Sequence, residues 1–267
     1  MITLASQDLE AKQVQRLQAL QDNVDNLDGY EAQVAYAKSS WKDKPRGLFS
    51  ELKEVLTRMC SGNARCVYCE DSLAYEIEHM RPKDLFPEVC YAWSNYVLAC
   101  GPCNGPKNNK FAVLVEPLKR VDITRKPNAA VVPPERGRPA LLDPRVDDPL
   151  DFLWLDFRTF RYVPNTDDDM SEVWLRADYT IDVLGLNKRD ALVRGRRSAF
   201  SGFNARLSAW INQQHQLTAV ERQVFIEDFR NERYRGVWER MKRYNNELPL
   251  LAKSAELIKA APEALQW

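Results

Sequence analysis

Apolar residues recur at helical spacing through residues 6–40, where Leu9, Val14, Leu17, Leu20, Val24, Leu27, Val34 and Ala37 mark the buried faces. Ser6 offers an N-cap for the first stretch. A second run follows Pro45, with Leu48, Leu52, Val55, Leu56 and Met59 on one side and Gly62 marking its end. Both runs predict core-packing helices. Between 60 and 110 the helical period disappears, and the short apolar pieces LAYEIEH and NYVLAC predict strands or turns. From 111 to 171 eight prolines, beginning at Pro117 and ending at Pro164, predict loops and short strands. Helical spacing returns over 178–260, in TIDVLGLNKRDALVRGRRSAFSGFNARLSAWI, TAVERQVFIEDFRNERYRGVWERMKRY and LLAKSAELIKAA. The chain therefore divides into an N-terminal helical region 1–59, a compact segment 60–112, a Pro-rich loop and short-strand connector 113–177, and a C-terminal helical region 178–267. The predicted class is α+β.

Composition narrows the partners. Of 267 residues, 45% are hydrophobic and 28% charged, enough for a real core under a solvated surface, which excludes a disordered tail or a disulfide-stapled miniprotein. No apolar run approaches the roughly 18 residues a membrane helix needs, and the opening MITLASQDLEAKQ lacks the apolar centre of a signal peptide. A soluble, cytoplasmic protein with no membrane partner is expected. Lys and Arg total 38 against 38 for Asp and Glu, so global charge argues neither for nor against nucleic acid. Local charge is less even. Residues 104–139 carry eight Lys/Arg against three Asp/Glu, and residues 185–243 carry thirteen against six. Either surplus can be a phosphate-contacting face or an ordinary wet surface.

All six cysteines fall within 60–103, together with His79; the only other histidine, His215, sits in a polar stretch and reads as a surface residue. Cys66-x-x-Cys69 and Cys100-x-x-Cys103 share one spacing and are separated by thirty residues. Each C-x-x-C turn presents two thiolates on one edge, and two such turns supply four sulfurs at about 2.3 Å to a tetrahedral Zn²⁺. Four cysteines close the shell, so this zinc would be structural. Cys60 and Cys90 lack a partner at that spacing and read as packed or free thiols.

Between the two pairs stands Glu78-His79, at the end of a predicted strand that Pro82 would stop. Neighbouring residues in a strand face opposite ways, so a shared site needs a twist at the strand end. Asn95 precedes the second strand piece. Asn104 follows the last cysteine directly, and Pro106 suits the first turn of a helix on which Asn104, Lys107 and Asn108 share a face. Arg81 and Lys83 add local positive charge.

In this order Cys66, Cys69, Glu78-His79, Asn95, Cys100, Cys103-Asn104 and Lys107 resemble the HNH endonuclease family of ββα-metal nucleases, in the branch braced by two zinc knuckles. The match covers about residues 58–112, with Glu78 where the family usually has Asp and Asn104 at the third named position. The resemblance implies a ββα-metal core embedded in a mostly helical chain. It also implies hydrolysis of phosphodiester bonds to 5′-phosphate and 3′-hydroxyl ends. His79 would be the general base, with Glu78 and Asn104 as oxygen ligands for a catalytic Mg²⁺ or Mn²⁺. Asn95 would tie the loop, Lys107 would approach a phosphate, and Asn108 would be a reserve ligand. A looser likeness in ARCVYCE, IEHMRPK, WSNYVLACGPCNGPK, LLDPRVDDP and LGLNKRDAL points to the HNH partner proteins of bacterial anti-phage systems, of the Septu type and some retrons. It implies an ABC-type ATPase partner. DNA is the favoured substrate; the same chemistry on RNA or tRNA, and a non-catalytic zinc-ribbon binding module, are the alternatives.

Overall fold

The computed structural model describes residues 1–62, 64–244, 247 and 251–267; Leu250, at the head of the last predicted helical run, lies outside them. Three helices open the chain: α1 (Ala11–Asp25), α2 (Tyr30–Lys42) and α3 (Arg46–Met59). α1 begins later than Ser6 suggests. Its N-cap is Glu10, whose backbone N–H donates to Gln13 Oε1 at 3.1 Å, so Ser6 is left out of the helix. Gly29, at φ +86°, makes the corner into α2, a backbone conformation that side chains with a Cβ avoid.

Strands β1 (Glu76–His79) and β2 (Tyr96–Ala99) follow, antiparallel, with Glu76 opposite Ala99 and His79 opposite Tyr96. Two 3₁₀ turns, Pro87–Val89 and Trp93–Asn95, lie in the loop between them. Helix α4 (Gly101–Lys107) continues directly from β2. The proline in its first turn is Pro102, two residues after the Cys100 cap; Pro106 lies later in the helix, so the start predicted from Pro106 moves back by about one turn.

The connector holds β3 (Ala112–Val115), β4 (Lys119–Asp122) and β5 (Arg138–Pro139) in one small sheet, ordered β4-β3-β5. After α5 (Pro149–Phe152) comes the hairpin of β6 (Leu153–Asp156) and β7 (Arg161–Pro164). α6 (Glu172–Val183) starts before residue 178, because Ser171 caps it by accepting from Trp174 N–H at 3.2 Å. Gly185, at φ +59°, turns the chain toward α7 (Asp190–Gln213), so the long 180–211 run is two helices. α8 (Ala219–Arg230), α9 (Arg235–Tyr244) and α10 (Ala252–Ala260) complete the C-terminal region, with a last 3₁₀ turn at Pro262–Gln266.

This mixture of helices with small sheets is an α+β architecture. One buried apolar cluster runs through all four stretches, from Leu17 and Leu52 through Tyr68 and Leu98 to Leu155, Phe203 and Trp238. Trp210, Tyr234 and Trp238 are buried in it, not offered on a surface, and His215 is exposed. Among the described residues no helix is long and apolar enough to cross a membrane.

Candidate metal centre and adjoining cleft

Cys66, Cys69, Cys100 and Cys103 are buried, and their sulfurs all lie within 4.8 Å of one another. Cys69 and Cys100 Sγ are 3.8 Å apart, near the edge of about 3.8 Å that a tetrahedron with 2.3 Å Zn–S bonds requires. That distance is far beyond an S–S bond of about 2.05 Å. The four thiols fit zinc in number, burial and spacing.

Two turns place these sulfurs. In the first, Glu70 N–H donates to Cys66 O at 2.9 Å and Cys66 N–H to Ser72 O at 2.9 Å, with Glu70 itself at φ +59°. In the second, Cys100 caps α4, and its carbonyl accepts from Cys103 and Asn104 N–H at 3.0 and 2.9 Å. Distant parts of the chain close around both. Arg189, the N-cap residue of α7, donates from Nη2 to Cys103 Sγ at 3.0 Å. Glu70 Oε1 accepts from Gly236 N–H at 2.8 Å, in the first turn of α9. Cys60 and Cys90 stand outside the cluster, half-buried and buried. Burial pushes both thiols up to about 12, so they stay protonated and inert at neutral pH.

Alongside the knuckles, β1 sorts its side chains by face. Glu76 and Glu78 turn toward α4: Glu76 Oε2 accepts from Asn104 Nδ2 at 2.7 Å, and the Lys107 ammonium pairs with Glu78 Oε1. Lys107 is fully buried and also donates to His79 O at 2.9 Å. The phosphate contact expected of Lys107 is therefore not what its position gives; it bolts α4 to the end of β1. Burial raises the Glu78 carboxyl above its ordinary range, against the pull of Lys107 and Lys83.

His79 turns the other way, against Trp41, with ring centroids 4.2 Å apart, and Tyr96 at 5.3 Å. Its Nε2 lies 2.9 Å from Cys90 O. A carbonyl oxygen can only accept, so Nε2 carries the proton and Nδ1 is left with its lone pair. Burial, reinforced by Lys83, Lys107 and Lys44, lowers the ring's pKa to about 3 and keeps it neutral.

Despite the opposite faces, Glu78, His79 and Asn104 line one cleft of about 370 Å³, joined by Lys83, Asp84 and Asn108. The twist expected at the strand end does not break the ladder: β1 pairs regularly with β2 through His79, opposite Tyr96. Asn95 sits outside the cleft as a brace. Its Oδ1 accepts from Arg81 N–H at 2.7 Å, and its Nδ2 donates to Arg81 O and Val89 O at 3.0 Å each. Asn108, at φ +43°, ends α4 without continuing its face. Lys83 lines the cleft, whereas Arg81 is exposed beyond it, over the Phe86 ring.

The donors in the cleft are of the hard-oxygen type that suits Mg²⁺ or Mn²⁺: a buried carboxylate and amide oxygens. Glu78 Oε1 already holds the Lys107 ammonium, so a cation in the cleft would have to share this carboxylate with Lys107. Sequence reasoning missed three members of this neighbourhood: Trp41, the Cys90 carbonyl and Arg189. Trp41 follows a helical run that reads as core, a backbone carbonyl has no sequence signature, and Arg189 lies 86 residues from the sulfur it touches.

Part of the chain is similar to the Septu protein PtuB of Bacillus thuringiensis, at 30% identity over 136 residues. The aligned stretch is 49% of this chain and spans 40% of that protein's own length. No protein-family model matches the chain, and no solved structure matches it with significance. The comparisons thus point to partial likeness with a Septu protein, alongside a four-cysteine cluster suited to metal.

Proposed function

We propose that the chain is a metal-dependent nuclease of the HNH type, acting on DNA as the effector of a defence complex with an ABC-type ATPase. The observation that carries this reading is the His79 ring. Nε2–H is committed to Cys90 O, which leaves Nδ1 its lone pair, and His79 lines one cleft with Glu78 and Asn104. A core histidine needs no such neighbours, and a zinc-binding module needs only the cysteines.

A phosphodiester resists attack because its anionic oxygens repel the nucleophile and its leaving alkoxide is poor. Glu78 and Asn104 would hold the divalent ion, which when bound neutralises the phosphate and stabilises the departing oxygen. His79 Nδ1 takes a proton from water as the new O–P bond forms. The bond from phosphorus to the 3′ oxygen breaks, giving 5′-phosphate and 3′-hydroxyl ends. The lowered pKa guarantees an empty Nδ1 at cellular pH. Burial is the main cause of that lowering, with Lys83, Lys107 and Lys44 adding to it. Lys107 and Asn95 position these groups through the backbone of β1 and its following loop. The partial likeness to a Septu protein supports the defence setting and the ATPase partner.

The test is incubation with plasmid, single-stranded DNA and total tRNA, under Mg²⁺, Mn²⁺ or EDTA, with and without a candidate ATPase. Metal-dependent cutting of DNA that is lost in His79→Ala is the expected result; cutting of tRNA alone would move the substrate to RNA. If nothing is cut under any metal or partner, the reading fails.

A further inference from the structure

Next to the Glu78–His79 cleft lies a larger groove of about 800 Å³, and the two share Trp41, Ile77 and Asn104 as a common wall. The far wall is the corner where α2 passes into α3. It brings Lys42, Lys44, Arg46 and Lys53 to the groove, against Asp43 and Glu76. Glu76 is already engaged by Asn104 at 2.7 Å. Among the described residues none of the four cations forms an ion pair; Lys44 lies over the Trp41 ring at 4.6 Å and donates to Trp41 O.

The surplus cations of the C-terminal region behave differently. Arg189 is taken by Cys103, Arg206 by Glu232, and Arg240 by the Leu153 carbonyl. Arg235 and Lys242 share Glu239, and Arg243 meets Asp148 and Asp151. Those cations are paired within the fold, while Arg194 and Arg222 stay exposed in the same region. Beside the cleft stand four cations without ion pairs among the described residues, on a segment whose apolar spacing reads as plain core helix.

We propose that this groove carries the nucleic-acid strand running away from the scissile phosphate, with Lys42, Arg46 and Lys53 against its backbone. The inference rests on the nuclease reading for its direction, since the groove opens where the phosphate would be cut. An unpaired cation row beside a phosphodiester site suits a polyanion of regular charge spacing. Contacts of this kind do not read bases, so the groove grips any sequence.

Binding of a fluorescent 20-nucleotide DNA strand and of its duplex, by anisotropy without added divalent ion, separates this from catalysis. Two charge-matched variants of the full chain are compared: Lys42→Glu/Arg46→Glu in the groove, and Arg194→Glu/Arg222→Glu on the exposed C-terminal helices, each checked by thermal melting. The groove variant is expected to lose at least about tenfold in affinity. Its salt slope should fall by about 1.4 on single strands, at roughly 0.7 for each of the two phosphates no longer neutralised, while the C-terminal variant stays within about twofold of the parent. No binding by the parent at about 50 mM salt, or equal losses in both variants, overturns the groove. Expected binding with no cleavage under any metal keeps the groove and removes the nuclease reading. Cleavage by the groove variant at unchanged kcat/KM does the reverse.

Discussion

At the scale of single residues, the chemistry turns on how tightly His79 is held. The ring is 5% exposed, wedged between Trp41 and Tyr96, with one nitrogen fixed by Cys90 O. In the proposed reading His79 is both base and core packing, so His79→Ala removes two things at once. We expect loss of cleavage by a factor of about 10² to 10⁴. A stability cost of about 1–3 kcal/mol should accompany it, limited because Cys90 O keeps the Tyr96 hydroxyl at 2.7 Å. Urea melts and single-turnover assays on the same preparation separate the two; unchanged stability would mean that the ring packs more loosely than its contacts indicate. The cysteines give a second test. Burial pushes Cys60 and Cys90 up to about 12, so both are thiols, not thiolates, at pH 8. In folded, zinc-loaded protein neither should be alkylated by iodoacetamide over a time that modifies both in urea, as read by intact mass. Residue types and spacing make Glu78, His79 and Asn104 candidates, because an imidazole beside oxygen donors between two cysteine pairs is a local pattern. They do not reveal which nitrogen of His79 is free, since that depends on a backbone carbonyl eleven residues away.

At the scale of elements, the knuckles and the strand–strand–helix unit are one construction. Cys100 both caps α4 and belongs to the sulfur cluster, so placing the sulfurs also places Asn104 and Lys107. The two C-x-x-C pairs, the strand pieces LAYEIEH and NYVLAC, and the helix after Cys100 are all legible, because each is a local pattern of spacing or alternation. Boundaries set by side-chain caps are less so: Glu10 with Gln13 displaces Ser6, and Pro102 displaces Pro106. Arg189 shows what local pattern leaves out. Its guanidinium donates to Cys103 Sγ from the start of α7, and the sulfur's negative charge raises its pKa in return, against burial. Groups that bond a metal ligand commonly change metal affinity by 10- to 100-fold. Arg189→Ala should therefore release zinc that much more readily to a chromogenic chelator, while Arg194→Ala, exposed on the same helix, should not. Equal zinc retention in both variants would show that the arginine merely fills space.

At the scale of the whole molecule, the sulfur cluster is a joint as much as a brace. The N-terminal helices supply Trp41 behind His79, α7 reaches the cluster through Arg189, and α9 reaches it through Glu70 and Gly236. Gly236 is held to its type, since a Cβ there would stand 2.6 Å from Glu70 Oε2. The N-terminal helices, α7 and α9 thus meet around the segment that carries the sulfur cluster, and structural zinc contributes folding energy directly to such a segment. Chelation should then act at a distance. We expect hydrogen exchange to accelerate in β1, β2 and α4 first, and with them in the opening turns of α7 and α9. The middle of α7, buried through Phe203 and Leu207, should stay protected. Cys66→Ser should reproduce the pattern without chelator, because it removes a ligand while leaving the surrounding packing almost unchanged. Exchange confined to the knuckles would mean that the C-terminal helices fold against the apolar cluster alone, and that Arg189 and Glu70 rest on the metal centre without depending on it.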